Sequence, residues 1–337
     1  MIAVGVDSHK DSHVAVALSR LGELCGELTI NANPGGYAEF VGWVGCLGEE
    51  VVVGIEGAGS WGAGLCEYLQ GEGFVVFEVE RPRRSERRAG KSDRLDALTA
   101  AKHVLAGEGL ATPRARGTRT AIAALLVAYR SCVAERTRLL NQLQALHTTA
   151  PLTLRQRIGE GNGTQLERRV IAMRARGEST SEERVVFSVL RDLARRASQL
   201  AAQARRYAGE LEALIATLAP TLLAEPGVGP ISAAKLIACD PARFKHEAAF
   251  ARCNGTAPLP ASSGKTIRHR LSRGGDRQVN NAIHTIALSR AIHHPESRAY
   301  LDRRISEGKT RREAMRSLKR HLSRRLFKLL IAVPLTT

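Results

Sequence analysis

Five short apolar runs fall within the first eighty residues, and the spacing between them leaves few folds open. IAVGVD (2–7) is rich in β-branched residues and stops at a polar turn, HVAVALS (13–19) alternates, and ELCGELTI (23–30) follows after a brief break. Three such runs with no room for a helix between them predict an antiparallel meander. Pro34-Gly35-Gly36 then opens a helical stretch that carries Phe40, Val41 and Val44. VVVGIE (51–56) reads as a buried strand, Trp61 to Leu69 as a helix, FVVFEVE (74–80) as another strand, and Asp93 to Val104 as a closing helix. The order βββαβαβα excludes both a doubly wound dinucleotide fold and a barrel.

Beyond a basic connector, TPRARGTRT (112–120), the chain turns helical. Between Ala121 and His147, Ile122, Leu126, Tyr129, Val133, Leu140 and Leu143 recur at helical steps and predict one long helix. From Glu183 to Leu218 the residues Val186, Leu190, Leu193, Ala197, Leu200, Ala204, Tyr207, Leu211 and Leu214 form a heptad seam. That seam predicts an antiparallel hairpin or coiled coil. The intervening 148–182 is rich in Gly, Thr and Arg with weak periodicity, and loop and fraying helix both stay open. After Pro220 short turns join helices, the last running from Arg311 to Ile331 with Met315, Leu318, Leu322, Leu326 and Leu329 along one side. The expected organisation is an α/β domain at 1–110, a helical or coiled-coil region at 111–219 and a mainly α domain at 220–337.

Charge separates these parts. The whole chain carries +17, which suits a nucleic-acid partner, yet residues 1–100 hold 15 acidic against 9 basic side chains. An enzyme that gathers carboxylates around metal ions, and leaves backbone binding to another region, has a reason for that split; two ordinary domains of different pI are the bland alternative. The six cysteines (25, 46, 66, 132, 239 and 253) show no CxxC and no Cys/His spacing, which argues against a zinc site or disulfide framework. No apolar run is long enough for a bilayer span, so no membrane partner is expected. The N-terminus lacks a signal-peptide pattern, which points to the cytoplasm. The histidines, His293-His294 among them, lie at no metal-ligand spacing and read as surface or core residues.

The strand and helix order is that of the ribonuclease H-like fold, which the Holliday-junction resolvase RuvC shares. In it four acids converge at one edge of the sheet: Asp7 ends the first strand, Glu56 ends the strand beside it, and Asp93 and Asp96 lie three apart on one face of the closing helix. Taken singly, Asp7-Ser-His reads as a turn, Glu56-Gly as a strand end, and Asp93 with Asp96 as a dipole-favoured pair at a helix start. Together they fit a pair of magnesium ions. Two such ions, about 4 Å apart, stabilise the attacking and leaving oxygens of a phosphoryl displacement.

GTAPLPASSGKTIRHRLSRGGDRQVNNAIH (255–284) holds a second constellation. A Pro-rich turn leads to Ser262-Ser263-Gly264 and then to Lys265, Arg268, His269, Arg270 and Arg273. The residues by themselves admit two readings: a basic phosphate-binding loop, or a serine nucleophile whose alkoxide the cations favour. EPGVGPISAAKLIA (225–238) is similar to a helix-hairpin-helix, with Gly227 and Gly229 offering backbone N–H groups to a phosphate oxygen. Aromatic residues make up only 4% of the chain, which favours recognition of duplex shape and phosphates over base stacking.

VGVDSHK, GIEGAGSW and KSDRLDA resemble the three acidic motifs of Piv-like transposases and invertases, the insertion-sequence family numbered one hundred and ten. The resemblance runs along nearly the whole chain. It implies a RuvC-like DEDD tetrad of Asp7, Glu56, Asp93 and Asp96, and a serine nucleophile that links covalently to a DNA end. The serine immediately before the glycine matches best, Ser263, with Ser262 as second candidate. It further implies duplex DNA as donor and target, a bridge RNA that selects them, and a dimer or tetramer, because strand exchange joins two duplexes. Two rivals remain at this stage. A RuvC-like nuclease would use metal-activated water and form no covalent protein–DNA species, and a non-catalytic nucleic-acid-binding protein would break no strand.

Overall fold

The computed structural model describes residues 1–48, 50–80, 92–114, 116–174, 180–261, 269–272 and 274–333, and the chain divides into two compact units, Met1–Ala115 and Arg116–Thr337. In the first unit the apolar runs become β1 (Ile2–Ser8), β2 (Ser12–Leu18), β3 (Leu24–Asn31), β4 (Val51–Glu56) and β5 (Val75–Val79). The helices between and after them are α1 (Pro34–Gly45), α2 (Ala63–Gly71) and α3 (Asp93–Ala106). A two-residue β6 (Leu110–Ala111), absent from the sequence reading, pairs antiparallel with β5. The six-stranded sheet has the order β3-β2-β1-β4-β5-β6, with β1, β4 and β5 parallel and β2 and β3 antiparallel beside β1. This mixed sheet is compatible with the ribonuclease H-like order. Trp61 lies in the turn before α2 rather than inside the helix, and it is exposed.

Alternation decides which face each strand residue buries. Val4, Val6, Ala15, Ala17 and Ile55 join a core with Phe40 and Val44 of α1 and Leu65 and Leu69 of α2. Val16 and Leu18 point the other way and meet Ala97 and Ala101 of α3. On that second face α3 comes down directly onto the sheet backbone. A Cβ on Gly5 would stand 2.1 Å from Ala97 O and Ala101 N, and one on Gly54 would stand 2.4 Å from Val104 Cγ2. The parallel register sets Gly5 beside Gly54, and two residues further along it sets Asp7 beside Glu56. Ser92 caps α3 by accepting a hydrogen bond from Leu95 N, and Gly107 (φ 66°) ends it in the left-handed conformation.

In the second unit the two long periodic segments form α4 (Thr118–Thr149) and α7 (Ser181–Leu218). They run antiparallel: Cys132 meets Gln203, while Leu143 shares a core with Leu190 and Ala194. Every seventh residue of the expected seam, Leu190, Ala197, Ala204 and Leu211, is buried. The companion line is Phe187, Ala194 and Ile215, and Val186, Leu193 and Leu214 are only half-buried beside it. On α4, Val133 is exposed and Leu139 takes the buried place. Large apolar residues on both sides of a seam leave its exact side open, and only packing against neighbouring helices decides it.

The stretch left open by periodicity contains α5 (Leu152–Ile158) and α6 (Gly163–Ala172), the latter started by a capping box between Asn162 and Gln165. Arg136 of α4 and Glu167 of α6 pair at 2.6 Å. The chain then forms α8 (Pro220–Leu223), α9 (Pro230–Ala238), α10 (Glu247–Cys253), the short pair β7 (Leu259–Pro260) and β8 (His269–Arg270), α11 (Arg277–His293), α12 (Pro295–Ser306) and α13 (Arg311–Leu330). Glu225, in the turn before α9, is buried and ion-paired to Arg290 of α11 and to Arg325 of α13. Burial alone would raise this carboxyl, but the hydrogen bonds from Arg325 and Arg290 outweigh it and hold it below the usual carboxylate range.

Two consequences are measurable by denaturant unfolding of the full chain. Gly5→Ala is expected to destabilise the first unit by about 1–3 kcal/mol, since the new methyl meets helix backbone that cannot rotate away. Gly42→Ala, on the open face of α1, should instead stabilise by roughly 0.5–1 kcal/mol. Glu225 has a depressed folded-state pKa, so its contribution is complete above the ordinary glutamate value and is lost as pH falls through the folded one. Stability of the second unit should therefore decline on acidification below about pH 4. Glu225→Gln, which leaves Arg290 buried without its anion, should cost about 3–5 kcal/mol at neutral pH and flatten that acid limb.

Candidate metal centre

Asp7 is the last same-face residue of β1 after Ala3 and Gly5, the face against which α3 lies, so the helix N-terminus comes to the same end of the sheet. The Asp7 carboxylate is buried, with 6% of the residue exposed. Asp93 sits exposed at the first position of α3, and Asp96 is half-buried one turn in. Burial raises the Asp7 pKa; His9 pulls it back, and the negative charges of Asp96 and Asp93 push it up again, with a net rise. Asp93 and Asp96 thus both act electrostatically on Asp7. Glu56, half-buried at the end of β4, is the register neighbour of Asp7. Ser8 turns to the opposite face and donates a hydrogen bond to Glu56 O at 2.6 Å, tying the two strand ends together.

His9 corrects the reading of the histidines as mere surface or core residues. Its Nε2 lies 3.1 Å from Asp7 Oδ2 and 3.3 Å from Asp93 Oδ1, between the strand end and the helix start. Asp7, His9 and Asp93 each offer a ligand atom within 4.8 Å of the others. The signal was present as Asp-x-His continuing a strand, a spacing that puts both side chains on one face. Two oxygens and a nitrogen so close together fit a divalent cation, and a buried carboxylate crowded by two others is a group that such an ion relieves.

The second unit contains the remaining expected residues. Gly227 has φ +80°, and a Cβ there would stand 3.1 Å from Ile286 O and 3.2 Å from Arg290 Cγ, so packing against α11 explains the glycine. Gly229 is the N-cap of α9, makes no side-chain cap and faces open space. Arg270 ends β8 and is exposed. Ser262, Ser263, Lys265, Arg268 and Arg273 lie outside the described residues.

An acidic centre on a mixed sheet, joined to a basic helical unit, is the constitution of a nucleic-acid-processing protein, and comparison with known sequences makes the assignment narrower. Residues 4–150 match a family described as Transposase, the DEDD group of IS110, and residues 219–302 match the Transposase IS116/IS110/IS902 family. The chain belongs to the IS110 family of transposases. It is 35% identical over 133 residues to the "Insertion element IS110 uncharacterized 43.6 kDa protein" of Streptomyces coelicolor, covering 38% of this chain and 33% of that one. It is 34% identical over 106 residues to the "Insertion element IS900 uncharacterized 42 kDa protein" of Mycobacterium paratuberculosis, covering 30% and 27%. The matched stretch is thus about a third or less of either curated relative. None of the described helices is long and apolar enough to cross a membrane.

The acidic centre makes an uncommon prediction for a buried side chain. Asp7→Asn, which removes a carboxylate repelled by two others, should leave melting in chelator at or above the wild-type temperature. Saturating Mn2+ should stabilise the wild type, by about 2.7 kcal/mol at a hundredfold excess over Kd, and should barely move the variant. Differential scanning calorimetry with and without Mn2+ reads both effects.

Proposed function

We propose that the chain is the strand-transfer enzyme of an insertion sequence, cutting and rejoining DNA at the element's ends. The observation that carries this reading is the meeting of Asp7, His9 and Asp93 at one strand end, in a chain whose first 150 residues match the DEDD transposases. Asp7 and Asp93 would hold a divalent ion, magnesium foremost and two ions in the full tetrad, with Asp96 and Glu56 flanking and His9 alongside. When bound, it would supply positive charge to the phosphate oxygens as negative charge develops on them. The chain's own acids would keep that charge at the sheet edge, an arrangement that a ribonuclease H-like order would provide.

Ser263, with Ser262 as second candidate, would be the nucleophile. Its oxygen, giving up its proton, forms a bond to phosphorus as the phosphorus–oxygen bond to the departing sugar breaks, and that sugar oxygen takes up a proton to leave as a hydroxyl, giving a serine–DNA ester. Lys265, Arg268, Arg270 and Arg273 would hold the neighbouring phosphates, and the turn at Gly227 and Gly229 would take a phosphate on the duplex. In this scheme residues 1–110 perform the metal-dependent step, 111–219 mediate assembly as a helical or coiled-coil arm of a dimer or tetramer, and 220–337 carry the serine. The partners are donor and target duplexes and a bridge RNA that pairs with them.

The decisive experiment incubates the purified chain and its co-purifying RNA with DNA carrying the element's ends, in magnesium. Denaturing gels then score strand cleavage, rejoined product and protein-linked DNA. Asp7→Asn and Glu56→Gln should each lower cleavage by about a hundredfold or more while retaining DNA binding. Ser263→Ala should bind DNA but lose the protein-linked species. Cleavage without any covalent species in the wild type would favour the water-using nuclease, and an adduct that persists when both Ser262 and Ser263 are alanine would remove serine from the mechanism.

A further inference from the structure

In the second unit a cavity of about 740 Å³ opens between the turn after α10, β8, α12 and α13. Among the described residues, seven lysines and arginines line it against one carboxylate, Glu313. Some of these cations are balanced by acids: Arg320 is paired bidentately with Glu247 at 2.6 and 2.9 Å, and Arg304 is paired with Glu307. Glu313 is occupied in the capping box of α13. Arg270, Lys309 and Lys319 have no ion pair among the described residues.

Lys319 is the telling one. It is 92% buried (8% exposed), and among the described residues its Nζ donates to the neutral Asn280 Oδ1 at 2.7 Å and meets no carboxylate. Burial lowers its pKa, with no carboxylate to oppose the shift. A buried ammonium without an anion is costly, and it persists where something else supplies the charge. Its surroundings are held in place. Asn280 donates to Asn254 O, and the buried Asn254 donates to Ser323 Oγ and accepts from Thr256. The opposite quality lines another part of the wall: Tyr300 and His321 meet edge to face at 5.4 Å, and the Arg303 guanidinium lies over the Tyr300 ring at 5.5 Å. Flat π-faces and anion-seeking cations in one cavity of this size match a phosphate attached to a base. Much of this wall, including Lys319, lies beyond the 219–302 stretch matched to the transposase family.

We propose that this cavity receives one unstacked nucleotide of a nucleic-acid strand, its phosphate neutralising Lys319 with Arg270 and Lys309 and its base lying on the Tyr300–His321 wall. This rests on the reading of the chain as a nucleic-acid enzyme, and it adds recognition of a single-stranded segment to the duplex grip proposed above. Extruding a nucleotide is the general route by which proteins reach groups that a duplex hides.

The test is fluorescence anisotropy with the full chain and three labelled probes: dT12, rU12 and a twenty-pair duplex. Lys319→Met keeps the side-chain volume without the charge, Tyr300→Leu removes the π-face, and Lys309→Gln alters an exposed residue that should not affect folding. Lys319→Met and Lys309→Gln should weaken single-strand binding roughly tenfold, and each should lower the slope of log affinity against log salt by about 0.7. Tyr300→Leu should weaken it about fivefold or more with the salt slope unchanged. Duplex binding should stay within twofold for all three. A preference for dT12 assigns the cavity to a DNA strand and one for rU12 to an RNA. Equal losses on single strand and duplex, or no loss in Lys309→Gln and Tyr300→Leu, would overturn the inference. A wild type that binds none of the probes would instead overturn the functional reading on which it rests.

Discussion

The close seat of α3 on the sheet is the contact on which the acidic centre depends. Gly5 and Gly54, paired in register, leave no side chain between the strands and the helix, so Ala97 and Ala101 rest on strand backbone. From Ala97 back to Asp93 is one helical turn, a rise of roughly 6 Å. From Gly5 forward to Asp7 is two strand residues, roughly 6.6 Å. The near equality of those two steps brings the first residue of the helix to the end of the strand. A side chain at either glycine would lift the helix and carry Asp93 and Asp96 away with it.

Once that seat is made, the electrostatics follow from proximity. Asp7 is pushed toward protonation by burial and by the two acids of α3, and His9 lies between Asp7 and Asp93. Such an arrangement does not help the fold; a carboxylate placed away from its like-charged neighbours would be more stable. Its position at a strand end beside Glu56 supports the proposed role as a centre that binds a ligand.

The second unit shows the same distinction in positive charge. Glu225 is buried with two arginines, and Arg290 also reaches Pro226 O, so every charge there has a partner and the turn into α9 is locked to α11 and α13. Lys319, just as deeply buried, has a neutral partner and a cavity. The first arrangement is complete within the chain. The second is complete only with something added, and the cations around it set what chemistry that something has.

Much of the molecule was legible in residue order. β-Branched runs and their spacing predicted the five main strands and three helices of the first unit, because alternation and helical period are local properties. Asp7 and Glu56 could be placed at strand ends, and Asp93 and Asp96 at a helix start, for the same reason. Long helices were equally plain, down to Leu190, Ala197, Ala204 and Leu211 on the buried line. What periodicity could not assign was the outcome of packing: that Phe187 and Ile215, rather than Val186 and Leu214, are fully buried, that His9 falls between Asp7 and Asp93, and that two glycines in separate strands make one seat for α3. Nor could it distinguish Lys319 from the other basic residues of α13. Each of these depends on residues far apart in the chain, and only packing decides which of them meet. A sequence therefore determines which faces are apolar and where charges stand along an element; the folded chain decides which charges are answered and which are left open to a ligand.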